Sequence, residues 1–289
     1  MRRPALPSPT GFLGGRLDLT LTRSALSLDL RRTAWGPPVP LAELPLAGDM
    51  PIRPDMLAAA LATTLAPILA DGRAAGLPLT VTLGDDLVRL FMVAPPGNAR
   101  GLGDIRAVTA LRFQRLYGDD PSAWRLTFDG AVDRPFLACA MPQALHGALL
   151  DLARTHRLAL TALTPRFVTA WNAERRRLDG AWLGVAQDGG ITLGCVDVPP
   201  GGGAAGLMAV HRLTLPAGAE ARWLRDQLRA VALRHGLADP ATLKLVGRPL
   251  PGLAAPPAGT PTLAWRTPAP RPTAAQAFAY LFGWGRRAG

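Results

Sequence analysis

Lysine and glutamate are nearly missing from this chain: Lys244 is the single lysine, and the glutamates are Glu43, Glu174 and Glu220 alone. The formal net charge of +11 is therefore carried by arginine and is spread thinly along the sequence. Summed positive charge attracts phosphate at long range, yet beside so much Ala, Gly and Pro it also matches the codon bias of a GC-rich genome. A basic surface set by composition is the plainer reading, and a dedicated nucleic-acid or lipid face is the alternative. A single-strand binder needs aromatics interleaved with basic residues on one sheet face. Trp124, Trp182, Trp223 and Trp265 are instead scattered over different elements, as core residues would be.

Cysteine, histidine and long apolar runs are scarce too. Cys139 and Cys195 sit inside apolar strand patterns in different halves, which fits two buried thiols rather than a disulfide or a redox pair. His146, His156, His211 and His235 lie on separate elements without the i, i+4 or Cys-x-x-Cys company that metal sites use, so no metal is implied. There is no Gly-x-Ser-x-Gly elbow, and nucleophilic hydrolysis has no positive support. No run reaches the roughly 18 to 20 apolar residues of a spanning helix; the C-terminal candidate, 274–284, is short and holds Gln276 and Gly283. The first ten residues are basic and Pro-rich, and no apolar stretch of signal-peptide length follows before Arg16. A soluble cytoplasmic protein is expected.

What the chain does contain is a repeated order of elements: strand, strand, strand, helix, strand. The first copy runs through 16–21, 24–30, a Pro-rich third segment at 39–46, an apolar helix at 54–70 and a strand at 79–83. The second runs through 181–186, 191–198, 207–215, a helix at 219–234 and a strand at 242–246. Between them, strands at 79–83 and 87–93 flank Gly84, Asp85 and Asp86 and read as a hairpin. Asp104 is placed to cap a helix at 105–117, which Gly118 ends. Strands at 124–128 and 136–140, a helix at 143–155, a strand at 159–163 and a helix at 167–176 follow. The charged stretch 175–180 separates two apolar blocks, giving expected domains 1–177 and 178–289, the second ending in a Pro-rich tail. Segments 36–40, 199–203, 249–261 and 268–272 read as loops; the triglycine at 201–203 resembles a phosphate-cradling run but lies between two strands rather than before a helix, and reads as a connector.

Two blocks of antiparallel-capable strands with a crossover helix and a further strand resemble the actin-like ATPase (ribonuclease H-like) plan, an α/β fold of two related domains with mixed sheets. The segment LVRLFMV at 87–93 leading to a Pro, the Arg- and Phe-bearing helix ending LYG at 116–118, and the run FLACAMPQALHGALLDLARTHRLALTALTPRFVTAWNAERRRL at 136–178 sharpen the comparison. They resemble the actin-like cytoplasmic modules of bacterial type IV pilus and type II secretion platforms, PilM and the cytoplasmic part of GspL. That resemblance implies a non-enzymatic scaffold, peripheral at the inner membrane, that couples a membrane partner with a short cytoplasmic segment to a cytoplasmic pilus or secretion ATPase.

Actin-like nucleotide binders hold phosphates on backbone N–H groups of an Asp- and Gly-bearing turn in each half, with a carboxylate positioning the metal. Here the first turn, 21–25, has neither glycine nor carboxylate at its tip, while the second keeps Asp188, Gly189 and Gly190. Half a phosphate site is visible, and a tight hairpin explains it equally. Weak or absent ATP and magnesium binding is the expectation; an actin-like ATPase and a basic nucleic-acid module are the rival functions. The adjacent pairs Asp85–Asp86 and Asp119–Asp120 sit at turns and read as turn chemistry. For a partner surface, the resemblance directs attention to Arg106, Arg112 and Arg115 beside Leu111 and Phe113, able to hold an acidic amphipathic peptide by charge plus an apolar anchor. A solvated basic face is the alternative for the same residues. Arg175, Arg176 and Arg177 follow a helix and suit its negative end.

Overall fold

The computed structural model describes residues 15–33, 37–46, 61, 63, 74–97, 99, 101–129, 134–187, 189–197, 206–253 and 262–266. The chain packs as two compact units that interleave in sequence: 1–83 with 144–164 and 270–289, and 84–143 with 165–269. This grouping differs from a single cut between 177 and 178.

In the first unit, β1 (Arg16–Leu21) and β4 (Pro78–Leu83) alternate buried and half-buried residues, the period-2 pattern of strands with one face in a core. β1 pairs antiparallel with β2 (Ala25–Arg31) and parallel with β4, and β3 (Val39–Pro45) closes one end. With β8 (Ala159–Pro165) the order is β3-β2-β1-β4-β8. Of the expected helix at 54–70, only Leu61 and Thr63 are among the described residues; both are helical, and Leu61 is fully buried. α2 (Gln143–Thr155) buries Leu145, Leu149 and Leu152, one stripe at helical spacing.

The second unit holds two sheets. The larger has the order β11-β10-β9-β12-β13, built from β9 (Trp182–Gln187), β10 (Gly190–Asp197), β11 (Gly206–Thr214), β12 (Thr242–Val246) and β13 (Thr262–Arg266). Its arrangement repeats the first sheet strand for strand: third, second, first, fourth, then one more. Every residue of the central β9 is buried, the signature of a strand covered on both faces. α4 (Ala221–His235) covers one face through Leu224, Leu228 and Val231. α3 (Arg166–Glu174) covers the other, and Gly194 is what admits it: a Cβ there would meet the Phe167 ring at 2.7 Å. The strand β13 was not foreseen, because its five residues lie between two Pro-rich segments that read as loops. The triglycine at 201–203 lies outside the described residues.

The smaller sheet, β5-β7-β6, comprises β5 (Arg89–Val93), β6 (Trp124–Phe128) and β7 (Phe136–Pro142) and carries α1 (Leu102–Tyr117). Two sequence expectations need correction here. β4 and β5 do not form a hairpin; they belong to different sheets, and Asp85, in the segment that follows β4, is buried rather than exposed in a turn. Asp104 is not the cap of α1, because the helix begins three residues earlier with Gly101 at its N-cap. Asp104 then lies in the first turn, where a carboxylate complements the helix dipole. Gly118 does end the helix, in the left-handed conformation at φ 73, its N–H donating to Gln114 O.

Candidate functional site

Three places among the described residues bear on the expected sites. The most enclosed is the carboxylate of Asp85, 3% exposed. α3 starts from Pro165, which has no side-chain acceptor for the first free N–H groups of the helix. Asp85 supplies it from 82 positions away: its Oδ1 accepts from Phe167 N–H at 2.9 Å. Gln187 at the end of β9 completes a ring, its Nε2 donating to Asp85 Oδ2 and its Oε1 accepting from Asp85 N–H at 2.9 Å. Burial pushes the Asp85 carboxyl above its ordinary value; the Phe167 N–H, Thr192, the Arg212 charge and Gln187 oppose that shift. The node fastens the segment after β4 to a helix start and a hairpin. Adjacent aspartates at a strand end gave no sign of it, since its partners are remote in sequence.

The turn that would face phosphates in the first unit is closed by its own side chain, and the described residues of the second are tied to neighbouring segments. In the first unit, Thr22 Oγ1 accepts from Ala25 N–H at 3.0 Å and donates to Ala25 O at 3.1 Å. The carboxylate on the preceding strand, Asp18, is clamped by Arg31 at 2.6 Å and Arg16 at 3.0 Å. In the second unit, Gly189 adopts φ 73, its carbonyl accepts from Leu215 N–H at 3.0 Å, and Gln187 is spent on Asp85. The Arg212 guanidinium lies over Gly190, within 3.4 Å of where a Cβ would be. Asp188, the third residue expected here, lies outside the described residues. Among the described residues no group of three or more His, Cys, Asp or Glu could hold a metal ion. Burial pushes the Cys195 and Cys139 thiols up to about 12, so neither is a reactive thiolate.

The third place is the outer face of α1. Ile105, Thr109 and Phe113, at i, i+4 and i+8, are fully buried against Phe91, Phe136 and Ala138. Phe113 is therefore core and not an apolar anchor for a partner; the anchor role passes to Leu111 and Leu116, 50% and 44% exposed. Arg112 and Arg115 are exposed beside them. Arg106 is exposed but lies nine residues before Arg115, about two and a half turns at 3.6 residues per turn, so the two point to opposite sides. The helix end is held by Arg89, whose guanidinium sits 4.4 Å from the Tyr117 ring centre and 4.8 Å from that of Trp124, and which pairs with Asp119 at 2.9 Å. This gives the LVRLFMV and LYG segments a shared physical role.

Two sheets of identical strand order, mixed in direction and covered by helices, define the actin-like ATPase fold. No protein-family model matches the sequence, and no curated protein matches it either. Solved structures do. The cytoplasmic domain of EpsL, an inner membrane component of the type II secretion system of Vibrio cholerae, is similar with a TM-score of 0.56 at 12% identity, over 94% of this chain and 96% of that one. The PilM–PilN type IV pilus biogenesis complex is similar with a TM-score of 0.54 at 17% identity, over 80% and 81%. A protein of Bacteroides thetaiotaomicron with actin-like ATPase fold and unknown function has a TM-score of 0.55 at 8% identity, over 96% and 99%. At these identities the likeness is one of fold, and it is the fold implied by the order of elements. No helix among the described residues is long and apolar enough to cross a membrane.

Proposed function

We propose that this protein is a non-enzymatic cytoplasmic scaffold of a type IV pilus or type II secretion-like assembly, linking an inner-membrane partner to a cytoplasmic motor. The observation that carries the reading is the likeness to the EpsL cytoplasmic domain over nearly the whole of both chains. A fold does not fix a function, so the reading also leans on the surfaces. The first-unit turn has its Ala25 N–H tied to Thr22 and its strand carboxylate tied to two arginines, a poor fit to a magnesium nucleotide. The face of α1 offers Arg112 and Arg115 with Leu111 and Leu116, the combination that takes an acidic amphipathic segment: charge for steering, apolar contact for retention. The partner is an inner-membrane assembly protein with a short acidic cytoplasmic segment. Replacing both residues, Arg112→Glu with Arg115→Glu, abolishes recovery of that partner from solubilised membranes, whereas Arg106→Glu on the opposite side retains it. Equal loss in both variants, or in neither, contradicts the assigned face.

A further inference from the structure

His211 on β11 and His235 in the last turn of α4 bring their Nε2 atoms into contact, with ring centres 4.7 Å apart. The two lie 24 positions apart, and the periodicities of a strand and a helix bring them together. In β11, Ala209, His211 and Leu213 share a face by strand alternation, and Ala209 and Leu213 belong to the core that α4 covers. In α4, Leu224, Leu228, Val231 and His235 follow at i, i+4, i+7 and i+11, one stripe at helical spacing. The stripe that packs on β11 therefore ends on two facing imidazoles in place of two aliphatic side chains. Arg212 lies on the opposite face of β11, against Gly190, and takes no part.

A histidine at a helix C-terminus ordinarily complements the dipole as a cation. Here that use is suppressed. Burial, His235 and Arg234 bring the His211 pKa down to about 4, and burial with Arg234 also lowers that of His235, so both rings are neutral at pH 7. Neutral imidazole is the form that binds transition metals. Such a pair can make one Nε2–H···Nε2 hydrogen bond, or it can turn both Nε2 lone pairs to one cation. At Zn–N distances of about 2.0 to 2.1 Å, two imidazole nitrogens around a tetrahedral zinc lie roughly 3.3 Å apart. His235 is exposed, so rotation of its side chain opens that gap without disturbing the core. Calcium and magnesium take oxygen ligands and do not suit two nitrogens; imidazole suits zinc, nickel and copper.

We propose that His211 and His235 form a two-histidine site for a divalent transition metal ion of the zinc class, which clips the end of α4 to β11. Among the described residues no third His, Cys, Asp or Glu joins the pair, so water completes the coordination shell, and His211 lines a cavity of about 530 Å³ with room for it. The inference is independent of the α1 partner face and of any nucleotide in the fold. Calorimetric titration of the untagged full chain with zinc chloride tests it, with magnesium chloride as the control titrant. The expected result is one zinc per chain and no magnesium binding, with zinc at least about tenfold weaker in His211→Ala and in His235→Ala. Because His235 is exposed, His235→Ala keeps the wild-type melting temperature in metal-free buffer, which separates a lost ligand from a lost fold. In NMR spectra the imidazole signals of His211 and His235 shift together on zinc addition, while those of His146 and His156 hold. Absence of zinc binding into the millimolar range, unchanged affinity in His235→Ala, or shifts confined to His146 or His156 overturns the proposal. One zinc per two chains with a zinc-dependent dimer also overturns it, because the ion then bridges copies rather than two elements of one chain.

Discussion

At the residue scale, Asp85 shows how one buried carboxylate organises remote segments. Its ring with Gln187 sets the Asp85 N–H on the Gln187 Oε1 and the Gln187 NH₂ on an Asp85 carboxylate oxygen, so the direction of each bond is fixed. Asp85→Asn places an NH₂ group against the Gln187 NH₂, and turning the glutamine over only moves the clash to Asp85 N–H. The substitution should cost about 1 to 3 kcal/mol in urea unfolding. Adding Gln187→Glu restores acceptors at both places and should recover most of that loss; a double variant no better than the single one would mean the ring is incidental. His211 supplies a pH dependence. Its folded pKa of about 4 lies below the ordinary 6.5, so between those values the unfolded chain binds more protons and stability rises with pH. The contribution is present above about pH 6.5 and is lost as pH falls toward 4. His211→Leu should flatten the stability profile across that window; an unchanged slope would show that other groups carry it.

At the element scale, the sequence was legible wherever burial is periodic. β1 and β12 match their expected ranges, and β4 and β9 lie within one residue of theirs, because their apolar spacing states both element and face. Elements whose identity depends on distant partners were not legible. β13 was hidden by flanking prolines, and the turn after β4 looked like a hairpin because Gly84, Asp85 and Asp86 suit one locally. The α1 arginines were readable as a basic helix, but the assignment of Phe113 to the surface failed. Only the contacts of Ile105, Thr109 and Phe113 reveal which stripe is buried. The docking of this helix depends on Arg89 between the two rings. Arg89→Ala should lower stability by about 1 to 2 kcal/mol, since the cation–π contacts are partly shielded while the Asp119 pair is too exposed to add much. Hydrogen exchange should show α1 opening first. Uniform loss across the second unit would argue instead for a role in its whole core.

At the scale of the whole molecule, the repeat visible in the sequence appears as two five-stranded sheets of the same order. The site chemistry was far less readable. Asp85 meets Gln187 across 102 positions, and His211 meets His235 from a strand and a helix, so no local motif announces either. Magnesium-ATP calorimetry should give no tight binding, and tight binding lost in Asp188→Ala would restore the ATPase reading.

The outer face of α1, proposed as the seat of a membrane partner, is tested most directly by crosslinking in place. A photo-crosslinking residue at position 111, in cells carrying the cognate assembly, should join the chain to an inner-membrane protein through its cytoplasmic segment, and the same residue at position 106 should not. With Arg112→Glu and Arg115→Glu present, the position 111 adduct should disappear while the melting temperature holds. An adduct that persists in that folded variant, or that forms equally from position 106, contradicts the account.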